Sequence, residues 1–374
     1  MGRCRLCASE SRHISGQLGV CLDCIRRRPG EALPAAMEAH RRAREAFGLP
    51  LEPPRKGLPC NVCVNECRIP EGGAGYCGLR RNEGGRLTGA GPEEGKLGWY
   101  HDPLPTNCVA DWVCAGGSGA GFPDYSHCDG PEVGFRNLAV FFHACSFNCL
   151  YCQNWNFRKE TLEPSTTPVY RLVADVGPRT SCVCFFGGDP TPQLPFALRA
   201  ARLALEGRDG RKGMAEDEEK GGLLRICFET NGSMHPGLLE KMMRVSLETG
   251  GTVKFDLKAW DENLHMALTG VANRRTLENF KRAAEMARAR PSPPPLIANT
   301  LLVPGYVDEE EVRAIARFVA SMDPGIPFSV LAFSPDFHMS DMPLTSKGEA
   351  QRALAAAKGE GLENVRLGNA HLLR

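Results

Sequence analysis

From about residue 136 onward the chain alternates short apolar runs with amphipathic stretches, and that alternation limits the folds open to it more than any other feature. The runs "RNLAVFFH", "SCVCFFGG", "LLRICFET", "GTVKFDLK", "LIANTLLV" and "PFSVLAFS" are short and mostly apolar, "GTVKFDLK" least so, as suits strands covered on both faces of a parallel sheet. The stretches "HPGLLEKMMRVSLE", "RRTLENFKRAAEMARA", "EEEVRAIARFVASM" and "TSKGEAQRALAAAKGE" carry helical spacing, so strand and helix follow one another as βα units. Six such repeats predict an α/β fold with a partial (β/α)6 barrel over 136–374, short of the eight repeats of a closed barrel. In such a fold the functional groups gather at the C-terminal ends of the strands.

The remaining residues, 1–135, have a different composition. At 374 residues the chain has room for two or three units. Lys and Arg total 45 against 44 Asp and Glu, so net charge gives no whole-chain attraction to nucleic acid or to an anionic membrane. No stretch approaches the roughly 20 apolar residues of a membrane span, and "MGRCRLCASESRH" has no apolar run behind its basic residues. The expectation is a cytoplasmic protein. Seventeen cysteines, many at C-x2-C spacing, then point to metal or cluster ligation in a reducing compartment over disulfides.

Two small Cys-rich modules precede the barrel. Residues 1–50 hold Cys4, Cys7, Cys21 and Cys24 as C-x2-C-x13-C-x2-C, the spacing of a zinc ribbon. A tetrathiolate zinc would hold together a segment too small for a core of its own. "LPLEPPRKGLP" at 49–59 reads as a linker. Within 51–135, Cys60, Cys63, Cys67 and Cys77 form C-x2-C-x3-C-x9-C. Spacing does not decide between zinc and a second iron–sulfur cluster for these four thiolates. Cys108, Cys114 and Cys128 follow in a Gly/Pro-rich stretch as candidate ligands of an auxiliary cluster. The charged insert at 207–222, "GRDGRKGMAEDEEKGG", reads as a solvated loop.

The stretch with the most chemistry is "HACSFNCLYCQN", with Cys145, Cys149 and Cys152 just after the first strand of the barrel. Four thiolates close a [4Fe–4S] cluster; three leave one iron open to an outside chelate. A structural zinc site wants four protein ligands, and the fourth would have to come from a distant Cys182, Cys184 or Cys227. The triplet, C-x3-C-x-aromatic-C with Tyr151 as the aromatic, resembles the signature of the radical S-adenosylmethionine (SAM) superfamily. The resemblance implies a [4Fe–4S] cluster whose open iron takes the amino and carboxylate groups of SAM, followed by reductive cleavage to a 5′-deoxyadenosyl radical.

Motifs at the later strand ends extend the likeness. "FFGGDPTP" resembles the family's Gly-Gly-Glu-Pro motif that meets the SAM amino group, as Gly187, Gly188, Asp189 and Pro190, with Asp one methylene shorter than Glu. "FETNGS" and "KFDLKAW" resemble the pyruvate formate-lyase activating enzyme group. The likeness implies that Glu229, Thr230, Asn231, Asp256 and Lys258 face the barrel mouth near the SAM carboxylate and ribose. The Cys60–Cys77 segment with its "GGAGYCG" close, and "FSVLAFSPDFHMSDMPLTSKGEA", resemble the AmmeMemoRadiSam-system radical SAM proteins. In all, the resemblance runs from about 58 to 370.

These likenesses imply an enzyme that abstracts hydrogen from a substrate, a protein being favoured. Its electron would come from a low-potential donor of flavodoxin or ferredoxin type, with no nucleic acid or membrane partner. No residue marks itself as the catalytic hydrogen donor. A second enzymatic reading is a cobalamin-dependent radical methyltransferase. "DYSHCDG" is one residue longer than the Asp-x-His-x-x-Gly motif of many corrinoid proteins, but some radical methyltransferases bind cobalamin without it. A reading of another class is a non-catalytic zinc-ribbon adaptor, against which the intact triplet argues.

Overall fold

A computed structural model describes residues 1–209 and 222–374; most of the charged insert read at 207–222 lies outside the described residues. Eight strands make one sheet: β1 Leu97–Pro103, β2 Arg136–Phe142, β3 Thr180–Gly187, β4 Arg225–Thr230, β5 Val253–Asp256, β6 Leu296–Leu302, β7 Phe328–Ala332 and β8 Val365–Gly368. They lie in chain order from β1 to β8. Strands β2 to β8 pair parallel and β1 runs antiparallel to β2. No pair joins β1 to β8 among the described residues, so the sheet stays open. All six strands expected from the sequence are present. A seventh parallel strand, β8, and the antiparallel edge β1 extend the expected six.

The principal helices are α1 Leu22–Arg27, α2 Pro29–Glu45, α3 Leu194–Asp209, α4 Pro236–Thr249, α5 Glu262–Thr269, α6 Arg274–Ala287, α7 Glu309–Ala320 and α8 Lys347–Gly359. Side-chain caps begin several of them: Asp261 accepts from Leu264 N, Asp308 from Glu310 N and Glu311 N, and Ser346 forms a capping box with Glu349. Every residue of β6 and β7 is buried, which is why both read as mostly apolar runs broken only by the buried Asn299, Thr300 and Ser329. Apolar side chains of α3, α4 and α6 to α8 close over one face of the sheet in a single core.

A second core joins residues 1–50 to the barrel. Ile14, Leu18, Val20, Ile25 and the alanines of α2 pack with Leu264, Ala267 and Leu268 of α5 and with Tyr306, Phe333 and Met339. Each fully buried leucine in such a core contributes about 1.5–3 kcal/mol. The Tyr306 hydroxyl accepts from Ser15 N at 3.0 Å and donates to Val20 O at 2.9 Å. At Gly305, φ is +75° and a Cβ would stand 2.4 Å from His13 O, so glycine is what lets these two stretches of the chain approach so closely.

Candidate functional site

The C-terminal ends of β3 to β7 and the loop after β2 surround a cleft of about 1030 Å³, open solvent at its mouth included. Cys145, Cys149 and Cys152 all line it. Their loop is tied down at its centre. Asn148 N donates to Thr269 O at 2.8 Å and Leu150 N to Leu268 O at 3.0 Å, docking the loop on the end of α5. The Asn148 side chain donates to His40 O and accepts from Arg158 Nη2, both at 3.2 Å. His40, on α2, also contacts Ala267 O at 3.0 Å, and burial lowers its pKa to about 4, so the ring is neutral. The N-terminal module thereby braces the cysteine loop.

Burial pushes the Cys149 thiol up to about 12 although Lys258 works against the shift. Burial, with Asp189 and Cys149, holds Cys145 well above the ordinary thiol value. Bound metal reverses that preference, because thiolates are the ligating form.

Of the residues singled out at the strand ends, all but Pro190, which leads into the turn Thr191–Gln193, come to this cleft. Gly187, Gly188, Asp189, Glu229, Thr230, Asn231, Asp256, Lys258 and Tyr151 line it together. At the two glycines the close approach is to the chain itself. A Cβ on Gly187 would stand 2.6 Å from Phe142 N and one on Gly188 2.4 Å from Ala144 O. Gly188 N and Asp189 N donate back to Phe142 O and Ala144 O at 2.8 and 2.9 Å. Asp189 joins the ends of β3 and β4: its carboxylate accepts from Thr191 N and Asn231 N, both at 2.6 Å, and from the Thr230 hydroxyl at 3.3 Å. Burial raises its pKa to about 6 against those hydrogen bonds.

Asn231 Nδ2 donates to Ser146 Oγ at 2.8 Å and reaches Cys145 Sγ at 3.7 Å. Lys258 pairs with Asp256 and lies 6.0 Å from the centre of the Tyr151 ring. Glu229 stands 3.8 Å from the buried Lys254.

Sequence reasoning missed Arg158 and Asn299, which also line the cleft. A faint signal existed for Asn299, as part of the only polar pair in the apolar run of β6. Arg158 lies between the rings of Phe157 and Phe337, each 4.6 Å away. Six buried side-chain polar atoms have no hydrogen-bond partner among the described residues, and three of them, Tyr151 OH, Arg158 Nη1 and Asn299 Oδ1, belong to this cleft. Buried polar groups ordinarily find partners. Three thiols beside three unpartnered polar atoms fit a cluster with a polar ligand over it.

The other cysteines separate into distinct settings. Cys4 Sγ is 3.7 Å from Cys24 Sγ, and Cys7 Sγ is 3.7 Å from Cys21 Sγ. Among the described residues these four alone form a group of His, Cys, Asp or Glu ligand atoms within 4.8 Å of one another. A zinc tetrahedron with arms of about 2.3 Å has edges of about 3.8 Å, so the spacing suits a single ion. Cys108 does not stand with Cys128: its sulfur accepts from Lys254 Nζ at 3.2 Å inside the barrel, and Cys128 lies in a turn with Ser126.

Residues 139–319 match the family model of the radical SAM superfamily. The uncharacterized protein MJ0808 of Methanocaldococcus jannaschii is 24% identical over 321 residues, covering 83% of this chain and 80% of that one. The pyruvate formate-lyase-activating enzyme of Staphylococcus aureus is 25% identical over 215 residues, covering 55% of this chain and 76% of that enzyme. Among solved structures, Streptococcus suis SuiB bound to the precursor peptide SuiA aligns with a TM-score of 0.45 at 15% identity, over 61% of this chain and 47% of that one. The chain thus spans about half the length of SuiB. A domain of pyruvate-formate lyase-activating enzyme from Bacteroides vulgatus aligns with a TM-score of 0.36 at 21% identity, over 50% of this chain and 98% of that domain.

Proposed function

We propose that this chain, whose residues 139–319 form a radical SAM domain, is an enzyme that abstracts a hydrogen atom from a protein substrate. The domain implies a [4Fe–4S] cluster and SAM. The chemistry they supply when bound is one-electron cleavage of the sulfonium to methionine and a 5′-deoxyadenosyl radical, which takes the substrate hydrogen. The chain's own residues bind, orient and shield. Cys145, Cys149 and Cys152 would hold the cluster, three thiols for four irons leaving a place for SAM to bind. Lys258, buried beside Asp256, is the cation for the SAM carboxylate. Asp189 keeps the ends of β3 and β4 in register under the ligand. Asn299 Oδ1 offers an acceptor and Tyr151 OH a hydroxyl. Val109, Phe186, Leu301 and Leu331 give the cleft apolar walls that keep water from a radical.

The observation that carries this reading is the meeting of three thiols and three unpartnered polar atoms on one cleft. A polypeptide substrate is supported by likeness to an enzyme named for activating pyruvate formate-lyase. A low-potential donor of flavodoxin or ferredoxin type would deliver the electron. Zinc at Cys4, Cys7, Cys21 and Cys24 is supported by their sulfur spacing. The test is anaerobic reconstitution followed by dithionite and SAM: 5′-deoxyadenosine should form with the wild-type chain and fall to background in Cys149→Ala. Deoxyadenosine formation that persists in Cys149→Ala would refute the assignment of the triplet.

A further inference from the structure

We propose that Cys60, Cys63, Cys67 and Cys77 ligate a second [4Fe–4S] cluster, and that it passes the electron on to the cluster held by Cys145, Cys149 and Cys152. The four cysteines are brought together by the fold: Cys60 N donates to Cys67 O at 2.7 Å, Cys60 packs with Cys67 and Tyr76 in one small core, and Tyr76, whose N donates to Cys67 Sγ, precedes Cys77. Unlike the four at the N-terminus, their sulfurs do not all lie within 4.8 Å of one another. A single zinc draws four sulfurs to edges of about 3.8 Å. A cubane gives each sulfur its own iron corner and holds the four wider apart. The pocket is also wired for anionic sulfur, since Tyr76 N donates to Cys67 Sγ at 3.3 Å and Asn65 Nδ2 reaches Cys63 Sγ at 3.7 Å.

Charge supplies a second argument. Arg44, Arg80 and Arg158 are 2%, 7% and 2% exposed. None forms an ion pair with a carboxylate among the described residues; Arg44 and Arg80 spend hydrogen bonds on the carbonyls of Tyr76 and Pro192. Buried charges are ordinarily paired, so three buried guanidinium groups call for buried anions. Arg44 and Arg80 act on Cys77, and Arg158 acts on Cys149. Two thiolate-ligated clusters meet that demand.

The two cysteine sets are joined by a short path. Asn65, itself buried, donates to Ser146 O at 2.7 Å with the same amide nitrogen that reaches Cys63 Sγ, and Ser146 follows Cys145 in the chain. Val64 N donates to Ser233 O at 2.9 Å, and the Ser233 and Ser146 hydroxyls are 2.9 Å apart. Cys77 packs against Ala144, the residue before Cys145. The step moves one electron and no atom: an outside one-electron donor of low potential reduces the second cluster, which is reoxidised as the first is reduced.

Only this relay rests on the radical SAM reading; the presence of the second cluster does not. The first experiment therefore uses the full chain with Cys145→Ser, Cys149→Ser and Cys152→Ser together. Purified without oxygen, it should retain about four iron and four sulfide, lost when Cys60→Ser and Cys67→Ser are added. Zinc in place of iron and sulfide, or iron that survives the added substitutions, would overturn the second cluster.

The relay is tested in the wild-type chain mixed with reduced flavodoxin and frozen at intervals. Paramagnetic resonance should show the second cluster reduced before the one whose spectrum responds to SAM, and Asn65→Leu should slow the later step several-fold. Reduction of the SAM-responsive cluster first, or an unchanged rate in Asn65→Leu, overturns the relay and leaves the cluster assignment standing.

Discussion

Substituting Glu132 by Gln should loosen the loop that closes the N-terminal ends of the strands. Glu132 lies in the Gly/Pro-rich stretch before β2, yet its side chain is 0% exposed. Its Oε1 accepts from Arg225 Nη1 at 2.8 Å and His127 N at 2.9 Å, and its Oε2 from Arg225 Nη2 at 2.5 Å and Ser181 Oγ at 2.7 Å. Burial alone would raise its pKa; the Arg225 guanidinium and the other donors outweigh burial and hold it at about 2 against an ordinary 4.5. That gap corresponds to about 3 kcal/mol at neutral pH, the low end of the roughly 3–5 kcal/mol expected when a buried ion pair loses one partner.

Bound metals break two-state unfolding, so local opening is the quantity to follow. Hydrogen exchange at the amides of His127 and Glu132 should accelerate roughly 100-fold in Glu132→Gln, the kinetic equivalent of about 3 kcal/mol. The carboxylate has its pKa lowered by folding. Its contribution is therefore complete above about pH 4.5 and fades as the pH falls toward 2. Corrected for intrinsic exchange, wild-type protection should show that fall and Glu132→Gln should not. Replacing both partners, with Glu132→Leu and Arg225→Met, should recover much of the loss because no charge is left stranded. An exchange rate in Glu132→Gln within about threefold of wild type, under 1 kcal/mol by the same conversion, would refute the argument.

Lys258→Met should weaken equilibrium SAM binding to the reconstituted protein roughly 10- to 150-fold, the equivalent of a charged hydrogen bond at about 1.5–3 kcal/mol; affinity within twofold of wild type would place the SAM carboxylate elsewhere. A strong zinc chelator under anaerobic conditions should release about one zinc per chain and expose residues 1–50 to protease, because a tetrathiolate zinc site contributes folding free energy directly. Unchanged digestion would mean that the apolar packing of Leu18 and Val20 on α5 holds the module without its metal.

The six strands were legible because each is buried on both faces along most of its length, so burial is written into most residues of the run. The two strands that were missed are edges. β1 contains the exposed Tyr100 and alternates irregularly, and β8 has four residues, none fully buried. The cysteine loop and the strand-end motifs were legible for a related reason: ligand spacing and turn glycines are local in sequence. What could not be read are partnerships across long separations, such as His40 with Asn148, 108 residues apart, and Glu132 with Arg225, 93 residues apart. Cys108, Cys114 and Cys128 look like one ligand set because they are neighbours in the chain. The fold keeps Cys114 within reach of the Cys108 charge, sets Cys108 against Lys254 and leaves Cys128 at a turn with Ser126.

Arginine shows the gap between sequence and fold most clearly. Nothing in the sequence separates Arg44, Arg80 and Arg158 from the arginines that meet glutamates at the surface, such as Arg202 with Glu206. Burial makes the distinction, since a solvated cation is content with water and a buried one is not. A chain that folds three guanidinium groups into its interior without carboxylates near two sets of cysteines has left its charge balance to whatever those cysteines bind. With the two proposed clusters in place their electrostatics would belong to the stability of the fold as much as to its chemistry, and loss of the clusters should loosen the surroundings of Tyr76 and Asn148 before it unravels the sheet.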